Sequence, residues 1–322
     1  MSTVEFAILG AGALGSIVGA HLTRAGHSVA MLARGQRARQ VEREGLRIKG
    51  LVELATPVQV ITDPAQLRKA EVLIVATKAI GTAAALEPLR QADIGLAFSV
   101  QNGVMKNDLL AEAFGRDRVL GALANTSGEL LPSGEVLFTR NVNLFVGELS
   151  GGLSERATRV AAAIDASGVR SAAVADIETQ EWSKFTGWIG LMVLSVATRA
   201  STWKYLSDPG SALLLVRLVR EAGQLAAACG VTLTDETILP VATLCSVTEH
   251  EAVEIIRKHG SDYRANAPAH RMSTLQDLEA GRPLELDETL GFAVRKAAEL
   301  RLSLPLLENA YHLVGAIDRT RG

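Results

Sequence analysis

The first group of residues able to hold a charged ligand is Gly10-Ala11-Gly12-Ala13-Leu14-Gly15, which lies between an apolar stretch, Val4 to Leu9, and a run of small residues. A G-x-G-x-x-G hexapeptide alone is a weak signal. Where a strand ends and a helix opens, however, each glycine has a physical reason: the first permits the tight turn, the second lets the backbone approach a diphosphate, and the third lets the helix pack closely on the strand. The N–H groups of the first helical turn then meet the negative charge. The plain alternative is a structural glycine turn. The same glycines bear on another reading of the apolar run Phe6 to Leu22. No positive segment precedes it, Glu5 sits at its edge, and Gly10, Gly12, Gly15 and Gly19 interrupt it, so neither a signal peptide nor a membrane span is expected.

In a dinucleotide-binding unit the end of the second strand selects the cofactor: a carboxylate pairs with the ribose of NAD, and a basic residue receives the 2′-phosphate of NADP. Here Arg34 follows the expected strand Ser28 to Ala33, and no Asp or Glu occurs between Gly12 and Glu42. A guanidinium binds phosphate through a fork of charged hydrogen bonds, so NADP(H) is the expected cofactor, with Arg37 and Arg39 as candidate helpers. An ordinary solvated arginine is the competing reading. Lys78 and Asn102 also follow expected strands, at the edge where open α/β sheets bind ligands. Asn102-Gly103 is equally a good turn dipeptide.

The elements that must position these residues form an α/β pattern. Val4–Leu9, Ser28–Ala33, Val72–Ala76, Gly95–Val100 and Arg118–Ala122 read as strands, and Gly12–Ala25, Gly81–Arg90 and Val104–Phe114 as helices. Residues 134–148 read as further strands near the sheet edge. Beyond about Asp176 the strand pattern gives way to apolar spacing of three and four, read as helices over 177–200, 211–229, 235–246, 248–258, 268–280, 286–300 and 305–319. The turn signals between them include Cys229-Gly230 and His259-Gly260. The expectation is a Rossmann-type parallel-sheet domain over residues 1–175 and an all-helical domain over 176–322.

Bulk properties narrow the function classes. With 322 residues, two domains are the natural division. A net charge of -2, from 33 basic and 35 acidic residues, provides no broad field for nucleic acid. The two cysteines, Cys229 and Cys245, form no CxxC, and no His cluster has metal-ligand spacing, so buried free thiols, no metal and a cytoplasmic, membrane-free location are expected. The helical domain is the candidate carrier of a homodimer surface.

Taken together, the motifs make the chain resemble the ketopantoate reductase (2-dehydropantoate 2-reductase) family along its whole length. The resemblance rests on Gly10 to Gly15, Arg34, Thr77-Lys78-Ala79, Asn102-Gly103, Glu181-Trp182-Ser183-Lys184, Ser273-Thr274-Leu275-Gln276-Asp277 and Gly281-Arg282-Pro283-Leu284-Glu285-Leu286-Asp287. The last two segments are the most diagnostic. The family implies reduction of a 2-oxo acid to a 2-hydroxy acid and a place in pantothenate biosynthesis. Lys184 matches its catalytic lysine, whose ammonium can protonate the carbonyl oxygen or stabilise its developing charge. Glu285 matches the acidic partner that helps position the amine, and stands with the cofactor-binding set. Ser273 matches the residue that bonds the substrate carboxylate, Asn102 one that contacts cofactor and substrate, and Lys78 a lysine on the cofactor side.

One departure concerns the substrate. The family enzyme acting on ketopantoate has asparagines four and eight residues after the lysine, where this chain has Trp188 and Met192. That spacing puts Lys184, Trp188 and Met192 on one helical face. An apolar wall does not satisfy a substrate hydroxyl, so a less polar acyl end is expected. The alternatives are that Trp188 serves helix packing, or that the register slips by one turn. Rival functions are a 2-hydroxy-acid dehydrogenase for branched or aromatic 2-oxo acids and a non-catalytic NADP-binding redox sensor, which would need only the glycine loop and Arg34.

Overall fold

In β1 (Ser2–Leu9) successive side chains enter different apolar clusters, Phe6 and Ile8 one, Ala7 and Leu9 the other. A strand buried on both faces belongs inside a parallel sheet. The computed structural model, which describes residues 2–321, shows β1 at the centre of one. The chain continues through α1 (Ala13–Arg24), β2 (Val29–Leu32), α2 (Gly35–Glu44), β3 (Leu46–Gly50), β4 (Leu54–Thr56), β5 (Gln59–Ile61) and β6 (Leu67–Val75). Next come α3 (Thr82–Leu86), β7 (Asp93–Ser99), α4 (Lys106–Phe114), β8 (Leu120–Leu130), β9 (Val136–Glu148), α5 (Glu155–Ala166) and β10 (Ser171–Ala173). The strand order of the first sheet is β5-β2-β1-β6-β7, and every pairing is parallel. Register matters most here. Leu9 pairs with both Leu32 and Val75, and Val75 pairs with Ser99, so four strands end together along one edge.

The strand expected over 118–122 and the further strands expected near the sheet edge over 134–148 form part of a separate second sheet. It runs β10-β9-β3-β4, with β8 antiparallel to β9. The reason is local: Leu131 N donates to Glu135 O at 2.9 Å and closes a tight turn that folds β8 back on β9. α1 packs on β1 and β2 and also on β3, β8 and β9. Residues Gly15 to Leu22 are therefore all buried, which accounts for the apolar run noted in the sequence. The segments 35–44, 46–61 and 155–166, unassigned from sequence, supply α2, β3 to β5 and α5.

The chain divides into two compact units, one ending at Glu178 and the other starting at Thr179. The second is helical: α6 (Ile177–Thr198), α7 (Thr202–Ser207), α8 (Pro209–Ala228), α9 (Val241–Ser246), α10 (Glu249–Asn266), α11 (Ser273–Glu279), α12 (Leu290–Glu299) and α13 (Pro305–Thr320). Side chains set several starts. Asp208 accepts from Ser211 N ahead of Pro209, and Thr248 and Glu251 form a reciprocal capping box. The expected break at His259-Gly260 does not occur, and α10 runs through it. A Cβ on Gly260 would lie 2.6 Å from Ser207 Oγ and 2.8 Å from Ser207 N, so this glycine permits close packing on α7 instead of ending a helix. Cys229 is half-buried and Cys245 exposed, against the expectation of two buried thiols. Among the described residues no helix is long and apolar enough to cross a membrane.

His21 is fully buried in α1, where Nδ1–H donates to Ile17 O at 2.8 Å and Nε2 has no partner. Burial pushes its pKa below the ordinary 6.5. The unfolded chain therefore binds a proton at a pH where the folded chain does not. This contribution to stability is complete above the unfolded value and is lost as the pH falls below it toward the folded one. Melting temperature should accordingly fall as the pH is lowered from about 7 through the histidine range, and His21→Leu should flatten that slope. An unchanged slope would assign the pH sensitivity to other groups.

Candidate functional site

The first unit brings the expected ligand-binding residues to the aligned strand ends. After β1 the chain turns at Gly10, whose φ of +109° is left-handed and where a Cβ would lie 2.8 Å from both Thr77 Cγ2 and Thr77 N. At Gly15 a Cβ would collide with the Gly10 carbonyl oxygen. Gly12 differs. Its nearest obstacle, Ala76 O, would be 3.9 Å away, so the fold itself leaves space above it. Ala11 is buried, whereas Gly12, Ala13 and Leu14 are half-exposed. No side chain caps α1, and its first turn carries no acidic residue. Its leading N–H groups are thus left for a ligand or water, the arrangement that suits a diphosphate.

Arg34 is exposed at the start of α2, just beyond β2. Arg37 has another task. Its Nε donates to Ala11 O at 2.8 Å, and its terminal nitrogens donate to Gly134 O at 2.7 Å, Gln40 Oε1 at 3.1 Å and Ser16 Oγ at 3.0 Å. It therefore fastens the glycine loop to the turn between β8 and β9, and it is not available as the helper expected from sequence. Arg39 is exposed. Lys78 is exposed after β6, and Asn102 is half-buried after β7, followed by Gly103 at φ +85°.

The second unit carries the remaining candidates. From Gln180 to Val196 every residue of α6 is buried except Lys184, which is half-exposed. Trp188 and Met192 continue its stripe at 5% and 1% exposure. Thr289 Oγ1 lies 3.9 Å from Met192 Sδ and also bonds the carbonyl of Glu285. The turn bearing Glu285 thus rests against the far end of the Lys184 stripe. An aromatic trio, Trp182, Phe185 and Phe292, with centroids 6.0 to 6.4 Å apart and Phe185 edge-on to both partners, fastens α12 to α6. Glu285 is half-buried. Burial, with Asp287 and Glu285 nearby, raises the pKa of Glu288 in the same turn.

Ser273 is exposed as the first residue of α11 and so stands apart from the α6 stripe in sequence and element. The buried Asp277 accepts from Arg282 Nε at 2.8 Å, and Asp277 O accepts from Arg282 N, also at 2.8 Å. The Gln-Asp and Gly-Arg segments are therefore a structural pair that folds the chain leading from Ser273 to Glu285. Two buried polar residues at the aligned strand ends of the first unit have no counterpart among the residues expected from sequence, Gln101 and Lys106. Their only signal was position, one residue before and four after Asn102.

Residues 6–151 match the family model described as ketopantoate reductase PanE/ApbA, and residues 176–318 match its C-terminal model. The 2-dehydropantoate 2-reductase of Archaeoglobus fulgidus is 28% identical over 97% of both chains. Among solved structures, a PanE/ApbA family ketopantoate reductase from Ralstonia eutropha superposes with a TM-score of 0.82 at 25% identity, covering 98% of each chain. The 2-dehydropantoate 2-reductase from Methylococcus capsulatus gives 0.79 at 27%, again over 98% of each.

Proposed function

The chain belongs to the ketopantoate reductase PanE/ApbA family, and we propose that it reduces a 2-oxo acid to the 2-hydroxy acid with NADPH. The observation that carries this reading is Lys184, the one residue left accessible in a seventeen-residue stretch of α6 that is otherwise buried. An amine held at the mouth of an apolar stripe has the chemistry a carbonyl reduction needs. The space over Gly12 and the uncapped start of α1 fit the diphosphate of a dinucleotide, and the exposed Arg34 just beyond β2 supports a 2′-phosphate on its ribose. When bound, the nicotinamide supplies the hydride.

The chain's own residues divide the remaining work. As negative charge develops on the substrate oxygen, the Lys184 ammonium stabilises it and delivers the proton. Glu285 helps orient that amine, Ser273 bonds the substrate carboxylate, and Asn102 orients cofactor and substrate. A sensor without turnover would require only the glycine loop and Arg34, so the presence of Lys184, Glu285, Ser273 and Asn102 together favours the enzyme.

Trp188 and Met192 refine the substrate. Both are buried, and the hydroxyl that reaches the Met192 thioether, Thr289 Oγ1, already bonds the Glu285 carbonyl. A hydroxylated acyl end set against this stripe would lose its partners, at a cost on the order of 1–3 kcal/mol. The preferred substrate is therefore a 2-oxo acid with an apolar acyl group.

Cofactor choice is tested at Arg34. Arg34→Ala should weaken NADPH binding by about 1.5–3 kcal/mol, the range for a charged hydrogen bond, and leave NADH binding nearly unchanged. Equal losses for the two cofactors would remove Arg34 from the 2′-phosphate site. Substrate choice is tested by following NADPH oxidation with ketopantoate and 2-oxoisovalerate. The apolar acid should match or exceed ketopantoate in kcat/KM, and Trp188→Asn with Met192→Asn should shift preference toward ketopantoate. A wild-type preference for ketopantoate of about a hundredfold would refute the apolar pocket, and no oxidation with any 2-oxo acid would refute the reductase.

A further inference from the structure

A buried polar side chain that no catalytic role has claimed needs a reason to be there. Gln101 is 7% exposed, and its carboxamide spans the ends of β6 and β7. Its Oε1 accepts from Ser99 Oγ at 3.0 Å. Its Nε2 lies 3.1 Å from Thr77 Oγ1, 3.0 Å from Lys78 O and 2.8 Å from Thr82 Oγ1. A carbonyl can only accept, so the nitrogen end must face Lys78 O, which fixes the orientation of the amide. Thr82 Oγ1 spends its proton on Ala79 O at 2.7 Å and therefore accepts from Gln101 as well.

The backbone of Gln101 is held on both sides. Its N–H donates to Ser99 Oγ at 3.2 Å, and its carbonyl accepts from Lys106 Nζ at 3.0 Å. The Lys106 ammonium, itself buried, also donates to Ala122 O at 2.6 Å. One residue thus fixes the loop carrying Lys78 through its side chain and the start of the Asn102-Gly103 turn through its main chain. Thr77, in the same network, is the residue against which Gly10 packs. Filling space would need only an apolar side chain of similar size. Two N–H groups shared among three oxygens of one neighbouring loop instead describe a device that sets the position of that loop.

We infer that Gln101 is a positioning residue, which sets Lys78 and Asn102 at the sheet edge in one fixed arrangement for ligand binding. What the two residues bind rests on the function proposed above; the clamp itself does not. Gln101→Met keeps the volume and removes the bonds, while Gln101→Glu turns an oxygen toward Lys78 O.

The test is a double-mutant cycle read beside exchange. In the otherwise wild-type chain Gln101→Met should lower kcat/KM about tenfold or more with little change in melting temperature, and Gln101→Glu should be at least as impaired. In a chain already carrying Lys78→Ala and Asn102→Ala, adding Gln101→Met should cost less than about threefold, because the residues it acts through are gone. Equal losses in the two backgrounds, or normal activity in either single variant, would overturn the inference. Hydrogen–deuterium exchange decides the clamp without turnover. Amides over 77–82 and 101–104 should exchange faster in Gln101→Met while β1 and β6 keep their rates; unchanged loops, or a general loss of protection, would overturn it. A wild-type chain that reduces no 2-oxo acid would defeat the functional reading and leave the exchange result to judge Gln101.

Discussion

The turn after β1 has no room for a side chain at Gly10, and the first unit is arranged around that fact. Gly10 lies against the backbone of Thr77, and Gly15 lies against Gly10, so the start of α1 is pressed onto the strand ends. Two consequences follow. α1 is forced deep enough to be buried along Gly15 to Leu22, and the second sheet covers the side that the first does not. The loop after β6 becomes part of the same contact, so the glycine turn, Thr77 and Gln101 form a continuous packed edge. Arg37 closes the arrangement from the other direction by bonding Ala11 O. Of the three loop glycines only Gly12 has open space where a Cβ would stand, which separates it from the two that packing requires.

The second unit solves a different problem. A lysine amine is costly to bury unless it is paired, yet the chemistry proposed for it needs an apolar surround. The α6 stripe meets both demands: from Gln180 to Val196 the residues around Lys184 are buried, and Lys184 itself is half-exposed. The Asp277 and Arg282 pair and the Trp182, Phe185 and Phe292 trio hold the segments that support this helix. They add no reacting group. They fix where Lys184 and Glu285 stand.

Much of this was legible in the sequence because it depends on local rules. A glycine at a strand end, a basic residue after the second strand and a lysine on a helix are each visible one element at a time, and the alternation of strands and helices followed by helices alone was read correctly, although α2, β3 to β5, α5, β10 and α7 were not. What escaped depends on contacts between distant segments. The β8–β9 sheet is built by a hairpin whose partner β3 lies some ninety residues upstream. Gly260 looks like a helix end until Ser207 is placed beside it. Arg37 resembles Arg34 in sequence and differs only because Ala11, Ser16 and Gly134 converge on it. Gln101 has no periodicity or motif of its own, and its role appears only when β6 and β7 lie side by side.

The central claim is that Lys184 is the acid of a hydride-transfer reaction, and the measurement that reaches it most directly is turnover and NADPH affinity in Lys184→Ala. Turnover should fall at least about a hundredfold while NADPH affinity is nearly unchanged, since the amine acts on the substrate oxygen and not on the dinucleotide. Near-normal turnover in that variant, or a loss explained wholly by weaker NADPH binding, would contradict it.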